Sequence, residues 1–200
     1  DEWPVLVGRD HGRRGARQLG GRPQVVEDLH LVALALLGQE GATLVGVVDS
    51  DPSRRDDIVA KHGGKAFDTV EALLAEGVDA VSIAVPTTAH LRAARPLLDA
   101  GVACLIEKPL ANTPEEAEQI AALAAKSGAT LQVGHIERYN PAVMALRKVQ
   151  ESGAAEIAPR FIEIHRVSPM TFRSVDVGVV LDMMIHDLDV VLMLMGGREP

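Results

Sequence analysis

From Ala42 onward the chain alternates short β-branched apolar runs with stretches of helical periodicity, the rhythm of βαβ units that build a parallel sheet. Thr43 to Val48 reads as a strand that stops at Asp49. Asp51 then caps a helix with Pro52 at its first position and Gly63-Gly64 at its end. Thr69 to Ala75 is a short helix, and Val78 to Val85 a strand closed by Pro86. His90 to Ala100 is helical in pattern despite Pro96, which predicts a kink or an early break. The next strand, Val102 to Ile106, runs into the turn Glu107-Lys108-Pro109. Thr113 and Glu116 make a capping box around Pro114, and the helix they open ends at Gly128. Thr130 to Val133 is a further strand, and Asn140-Pro141 opens a helix that runs to about Glu151.

After Gly153 the pattern changes. Arg160 to Val167 alternates apolar and polar residues, as in an antiparallel strand with one covered face, and Asp182 to Met195 is a strongly apolar helix. The expected class is therefore α/β: a Rossmann-like parallel sheet domain over residues 1–135, followed at 136–200 by the start of an α+β domain. The first 41 residues are irregular. A dinucleotide fold needs Gly-x-Gly-x-x-Gly between its first strand and first helix, because the turn is tight and the backbone must approach a pyrophosphate. Here Val5-Leu6-Val7 is followed by Gly8, Gly12 and Gly15 in a different spacing, leaving Gly8 and Gly12 as the phosphate-loop candidates. An insertion, a divergent loop and a shifted reading frame would each produce this segment. Asp1 in place of an initiator methionine, and an end at Pro200 just past a helix, lead us to expect a fragment.

Composition narrows the chemistry. A chain of 200 residues that is 47% hydrophobic and 24% charged has enough apolar surface for a core. Its net charge of −8 argues against nucleic acid or an anionic membrane as partner and for a small-molecule substrate. No run approaches the roughly 18 apolar residues of a membrane span. The single cysteine, Cys104, sits inside an apolar strand pattern, which fits a reducing cytoplasm and a structural role.

Three constellations could carry chemistry. Asp49, at a strand end in the first half of a Rossmann unit, is placed to accept hydrogen bonds from ribose hydroxyls, which favours NAD over NADP; Arg54 and Arg55 nearby keep NADP open. Lys108 follows an apolar strand directly, at the sheet edge where open α/β folds bind ligands. Asp182 and His186 are four apart in an apolar helix and so share a face, where the carboxylate can fix the imidazole tautomer as a general base requires. Asp187 and Asp189 read as capping or solvent-facing. His90 after Pro86-Thr87, and His135 within Gly134 to Asn140, lie in loops at the ligand edge, where a lone histidine is more often structural than functional. The histidine spacings match no common zinc pattern, so no metal is expected.

Together, Val47-Val48-Asp49, Ala84-Val85-Pro86-Thr87 with His90, Glu107-Lys108-Pro109, Gly134-His135 and Asp182-x3-His186 resemble the Gfo/Idh/MocA family of NAD(P)-dependent oxidoreductases over residues 42–200. The resemblance implies a Rossmann domain followed by an open, mostly antiparallel sheet domain that also carries the usual homo-oligomer interface. It implies hydride transfer between nicotinamide and a hydroxyl-bearing carbon of a sugar or cyclitol. By it, Lys108, Asp182 and His186 form the catalytic group, and Asp49, Pro86, Thr87, His90, Glu107 and Lys108 lie around the cofactor. The run from Gly134 to Pro141 most resembles dehydrogenases of the 3-hydroxyl of UDP-N-acetylglucosamine, which makes His135, Arg138, Tyr139 and Asn140 the candidate substrate contacts. A dehydrogenase of a free sugar or inositol, or a non-catalytic dinucleotide- or sugar-sensing protein, is the alternative.

Overall fold

The structure, a computed structural model, describes residues 5–10, 42–154, 159–167 and 178–195. The chain divides into two compact units, Asp1–Val133 and Gly134–Pro200.

The first unit contains strands β1 (Val5–Asp10), β2 (Ala42–Val48), β3 (Lys65–Phe67), β4 (Ala80–Ile83), β5 (Ala103–Ile106) and β6 (Leu131–Val133). Its helices are α1 (Pro52–His62), α2 (Val70–Ala75), α3 (His90–Asp99) and α4 (Pro114–Ser127). The six strands form one sheet in the order β3-β2-β1-β4-β5-β6, the doubly wound order of a dinucleotide-binding domain. β2 pairs with β3, β4 with β5 and β5 with β6 in parallel, with Val81 opposite Cys104 and Ile106 opposite Val133.

Local chemistry explains most of these boundaries. Asp51 Oδ1 accepts the N–H groups of Ser53 and Arg54 at the start of α1, and Thr69 Oγ1 accepts that of Ala72 in α2. Thr113 Oγ1 accepts the Glu116 N–H at 3.3 Å, while the Glu116 carboxylate reaches back to the N–H of Asn112 rather than of Thr113. Gly128, at φ 73°, closes α4 in the left-handed conformation that other residues resist. At Gly46 a side chain would collide with the Lys65 carbonyl and the Phe67 ring, so this glycine allows the close approach of β2 and β3.

Pro96 does not end α3, which continues to Asp99. Ala94, Leu97 and Leu98 are fully buried on the same face as His90, and burying a leucine contributes about 2 kcal/mol. That burial outweighs the lost N–H. With Ile83, Cys104, Ile106 and Ile120, this face makes the core of the unit.

β1 departs from the parallel pattern, running antiparallel to both β2 and β4. Its last residue, Asp10, is paired with Ala42, the first of β2. The register slips between Val7 and Gly8, whose partners are Gly46 and Leu44, so the extra residue of the irregularity is Val45 of β2.

In the second unit, a 3-10 turn at Ile136–Tyr139 leads into α5 (Pro141–Ser152), and a π-helical turn at Val180–Met184 leads into α6 (Ile185–Leu194). The apolar helix expected at Asp182 to Met195 is thus present, but its first turn is π rather than α. Nothing in Val180-Leu181-Asp182-Met183-Met184 marks that turn, since these residues fit either helix. Gln150 Nε2 donates to the Leu194 carbonyl at 2.9 Å, satisfying one of the acceptors left open at the end of α6. Residues 161–167 form no strand, contrary to the alternating pattern, and Phe161, Ile164 and Val167 are exposed. Among the described residues no neighbouring strand pairs with this segment, and alternation alone does not close a ladder.

Candidate functional site

β2 and β4 are each antiparallel to β1 and hence parallel to one another, so the carboxyl ends of β2, β4 and β5 all lie along one edge. Asp49 and Glu107-Lys108 follow β2 and β5 directly, and Pro86-Thr87 comes after β4 beyond Ala84 and Val85. Chain polarity alone therefore gathers five of the expected cofactor residues on the ligand edge of the first unit.

Asp49 is only 2% exposed, and its Oδ1 accepts the Asp51 N–H at 2.8 Å. Asp51 in turn caps α1, so the carboxylate at the end of β2 is held through the cap of the following helix. Thr87 is buried in a short 3-10 turn that begins after Pro86.

His90 is 1% exposed, with its Nε2 2.9 Å from the Val85 carbonyl oxygen and its Nδ1 3.2 Å from that of Leu110. Both ring nitrogens thus face main chain. The ring lies between the turn after β4 and the turn after β5. The second turn carries Lys108, which is half-buried. The Glu107 N–H donates to Ile83 O at 2.9 Å, extending the pairing with β4, and Glu107 Oε2 accepts the Lys108 N–H at 3.2 Å. The Lys108-Pro109 peptide is cis.

Gly8 does not reach this edge. It is paired with Ala80, the first residue of β4, at the opposite end of the sheet. The antiparallel direction of β1 is the reason. Gly12 lies outside the described residues. The edge therefore fits a dinucleotide in its buried carboxylate, suited to ribose hydroxyls, and in the turns after β4 and β5, while the pyrophosphate cradle is not supplied by Gly8.

In the second unit, Asp182 lies within the π turn and His186 near the start of α6, both half-buried. Single π turns occur often at functional sites. Asp187 and Asp189 neither cap nor face solvent. Asp187 receives a forked contact from Arg166, with Nη2 2.7 Å from Oδ1 and Nε 3.0 Å from Oδ2. Asp189, 7% exposed, is held by Arg138 through Nε at 2.7 Å and Nη2 at 2.5 Å. Each carboxylate raises the pKa of its arginine through these bonds, against a smaller opposing effect of burial.

The candidate substrate residues divide accordingly. Arg138 is committed to Asp189. Asn140 is occupied at both ends, its Oδ1 accepting the Ala142 N–H and its Nδ2 donating to Glu137. His135 Nδ1 is buried 4.0 Å from Asp189 Oδ1 and makes no hydrogen bond among the described residues, while Tyr139 is exposed. Sequence reasoning missed the Arg138–Asp189 pair, although a carboxylate beside Leu188, Val190 and Val191 signals a need for a cation.

The model of the Gfo/Idh/MocA oxidoreductase family, NAD-binding Rossmann fold, matches residues 28–135. The UDP-N-acetylglucosamine 3-dehydrogenase of Acidithiobacillus ferrooxidans is 44% identical over 155 residues, 78% of this chain and 48% of that protein. A solved structure under that name from the same organism covers 76% of this chain and 49% of its own, with a TM-score of 0.70. Inositol 2-dehydrogenase of Corynebacterium glutamicum is 33% identical over 161 residues, 79% of this chain and 48% of that protein. The WlbA dehydrogenase of Bordetella pertussis, solved in complex with NADH and UDP-GlcNAcA, is 29% identical with a TM-score of 0.56, over 62% of this chain and 36% of its own. The chain spans about half the length of the curated relatives it matches.

Proposed function

The chain belongs to the Gfo/Idh/MocA family of NAD-binding oxidoreductases, and on that premise we propose that it transfers a hydride between NAD and a secondary hydroxyl of a sugar, with the 3-hydroxyl of a UDP-N-acetylhexosamine as first candidate. The observation that carries this reading is the gathering of Asp49, Pro86-Thr87 and Glu107-Lys108 on one edge of the sheet. The nucleotide sugar is favoured by the 44% identity to a UDP-N-acetylglucosamine 3-dehydrogenase, against 33% to an inositol dehydrogenase.

Bound NAD would supply the acceptor for the hydride. Asp49 accepts hydrogen bonds from ribose hydroxyls. His186 takes the proton of the substrate hydroxyl, and Asp182 orients the imidazole. Lys108 donates a hydrogen bond to the reacting oxygen and stabilises the alkoxide as it develops, the interaction that contributes most in such reactions. His135 and Tyr139 are the remaining candidates for holding the sugar.

The test is to follow reduced nicotinamide by its absorbance with NAD and, separately, UDP-N-acetylglucosamine and myo-inositol. Turnover of the nucleotide sugar alone is expected. Turnover of inositol alone would transfer the chain to the second chemistry, and NADH binding with no turnover of either would favour a sensor.

A further inference from the structure

The ribose edge carries two arginines in the first turn of α1, and each is already matched by a carboxylate. Arg54 Nε lies 3.6 Å from Asp51 Oδ2. Arg55 Nη1 donates to the Asp49 carbonyl at 3.4 Å, to the Phe67 carbonyl at 3.3 Å and to the carboxylate of Asp68. These contacts tie the end of β2 to the end of β3. The Arg55 side chain is 13% exposed and that of Asp68 85% exposed, so the cation is largely enclosed while its counter-charge is open to water. Arg55 Nε is buried and has no acceptor among the described residues, which leaves the guanidinium further capacity to donate.

A 2′-phosphorylated ribose needs a cation near the carboxyl end of β2, where a bare ribose needs only a carboxylate. Arg55 bonds to the carbonyl of Asp49 itself, so it stands at that position. We propose that Asp68 is a specificity-determining residue for the cofactor: by holding and neutralising Arg55, it makes the ribose edge reject a 2′-phosphate, although Asp68 follows the neighbouring strand. Discrimination at this edge then has two parts. Asp49 repels the phosphate directly, and Asp68 removes the cation that would attract it. The inference rests on the reading that this edge takes NAD.

Calorimetric titration of the chain with adenosine 5′-monophosphate and with adenosine 2′,5′-bisphosphate tests it. The wild type is expected to bind the monophosphate more tightly. In Asp68→Asn the preference should fall on the order of tenfold, the effect of one uncompensated charge at a partly solvated site. In Asp68→Asn/Arg55→Leu it should return toward the wild-type value. Asp68→Ser carries the same expectation, should the asparagine variant fold poorly. An unchanged preference in Asp68→Asn, or a fall that persists without Arg55, overturns the inference while the NAD reading stands; a wild-type preference for the bisphosphate overturns both. A wild type that binds neither nucleotide overturns both.

Discussion

His90 Nδ1 lies 3.2 Å from the carbonyl oxygen of Leu110, twenty residues along the chain, while its Nε2 faces Val85 O at 2.9 Å. One buried ring therefore joins the turns after β4 and β5, and Lys108 sits in the second of them. The ring thus lies beneath the turn that carries the lysine proposed to meet the substrate.

Replacing that ring should be costly. Val85 O and Leu110 O both face the ring, and losing it leaves a buried main-chain acceptor without its N–H partner at a cost of about 2 kcal/mol. His90→Ala is expected to shift the urea unfolding midpoint down accordingly, with His90→Gln in between. A midpoint equal to wild type would contradict the bridging role.

Arg138→Ala should destabilise the second unit. It strands the buried carboxylate of Asp189, and with the arginine side half exposed the loss is about 2 kcal/mol, less than for a fully enclosed pair. Asp189→Leu, which removes the charge and keeps the volume apolar, should cost less than Arg138→Ala. Comparison of the two denaturation curves checks the order, and the reverse order would mean that the pair is not the source of the stability.

How far the sequence was legible follows from the range of the interactions. Strand ends and helix caps rest on neighbours a few residues apart, so Asp51, Thr113, Gly128 and Asn140 could be read directly, and with them the edge that carries Asp49 and Lys108. The orientation of β1 could not be read. Val5-Leu6-Val7 is equally good as a parallel or antiparallel strand, and only its pairing with Val48 and Ile83 decides. The ion pairs were hidden for a related reason: Arg138 and Asp189 are fifty-one residues apart, and Arg55 and Asp68 thirteen, distances at which no local pattern links them. The strand expected at 160–167 failed because alternation specifies a face but not a partner.

Burial pushes the Cys104 thiol from its ordinary value of 9.0 up to about 12. The folded chain therefore keeps the thiol protonated where the unfolded chain would release the proton. Stability from this group is fully present below about pH 9 and declines as pH rises from there toward 12. Cys104→Ala should show a shallower loss of melting temperature above pH 9 than wild type, after subtraction of their difference at pH 7. Parallel curves would show that the thiol is not shielded. Alkylation by iodoacetamide at pH 8 should likewise be slow until denaturant is added.

Lys108 and His186 are proposed to serve hydride transfer rather than cofactor binding. The direct measurement is the rate of NADH formation from NAD and UDP-N-acetylglucosamine by wild type, Lys108→Ala and His186→Ala, with NADH binding followed by fluorescence in parallel. Turnover should fall by about 10²–10⁴-fold in His186→Ala and by a comparable factor in Lys108→Ala, with NADH affinity retained. Near-wild-type turnover in either variant would contradict the assignment.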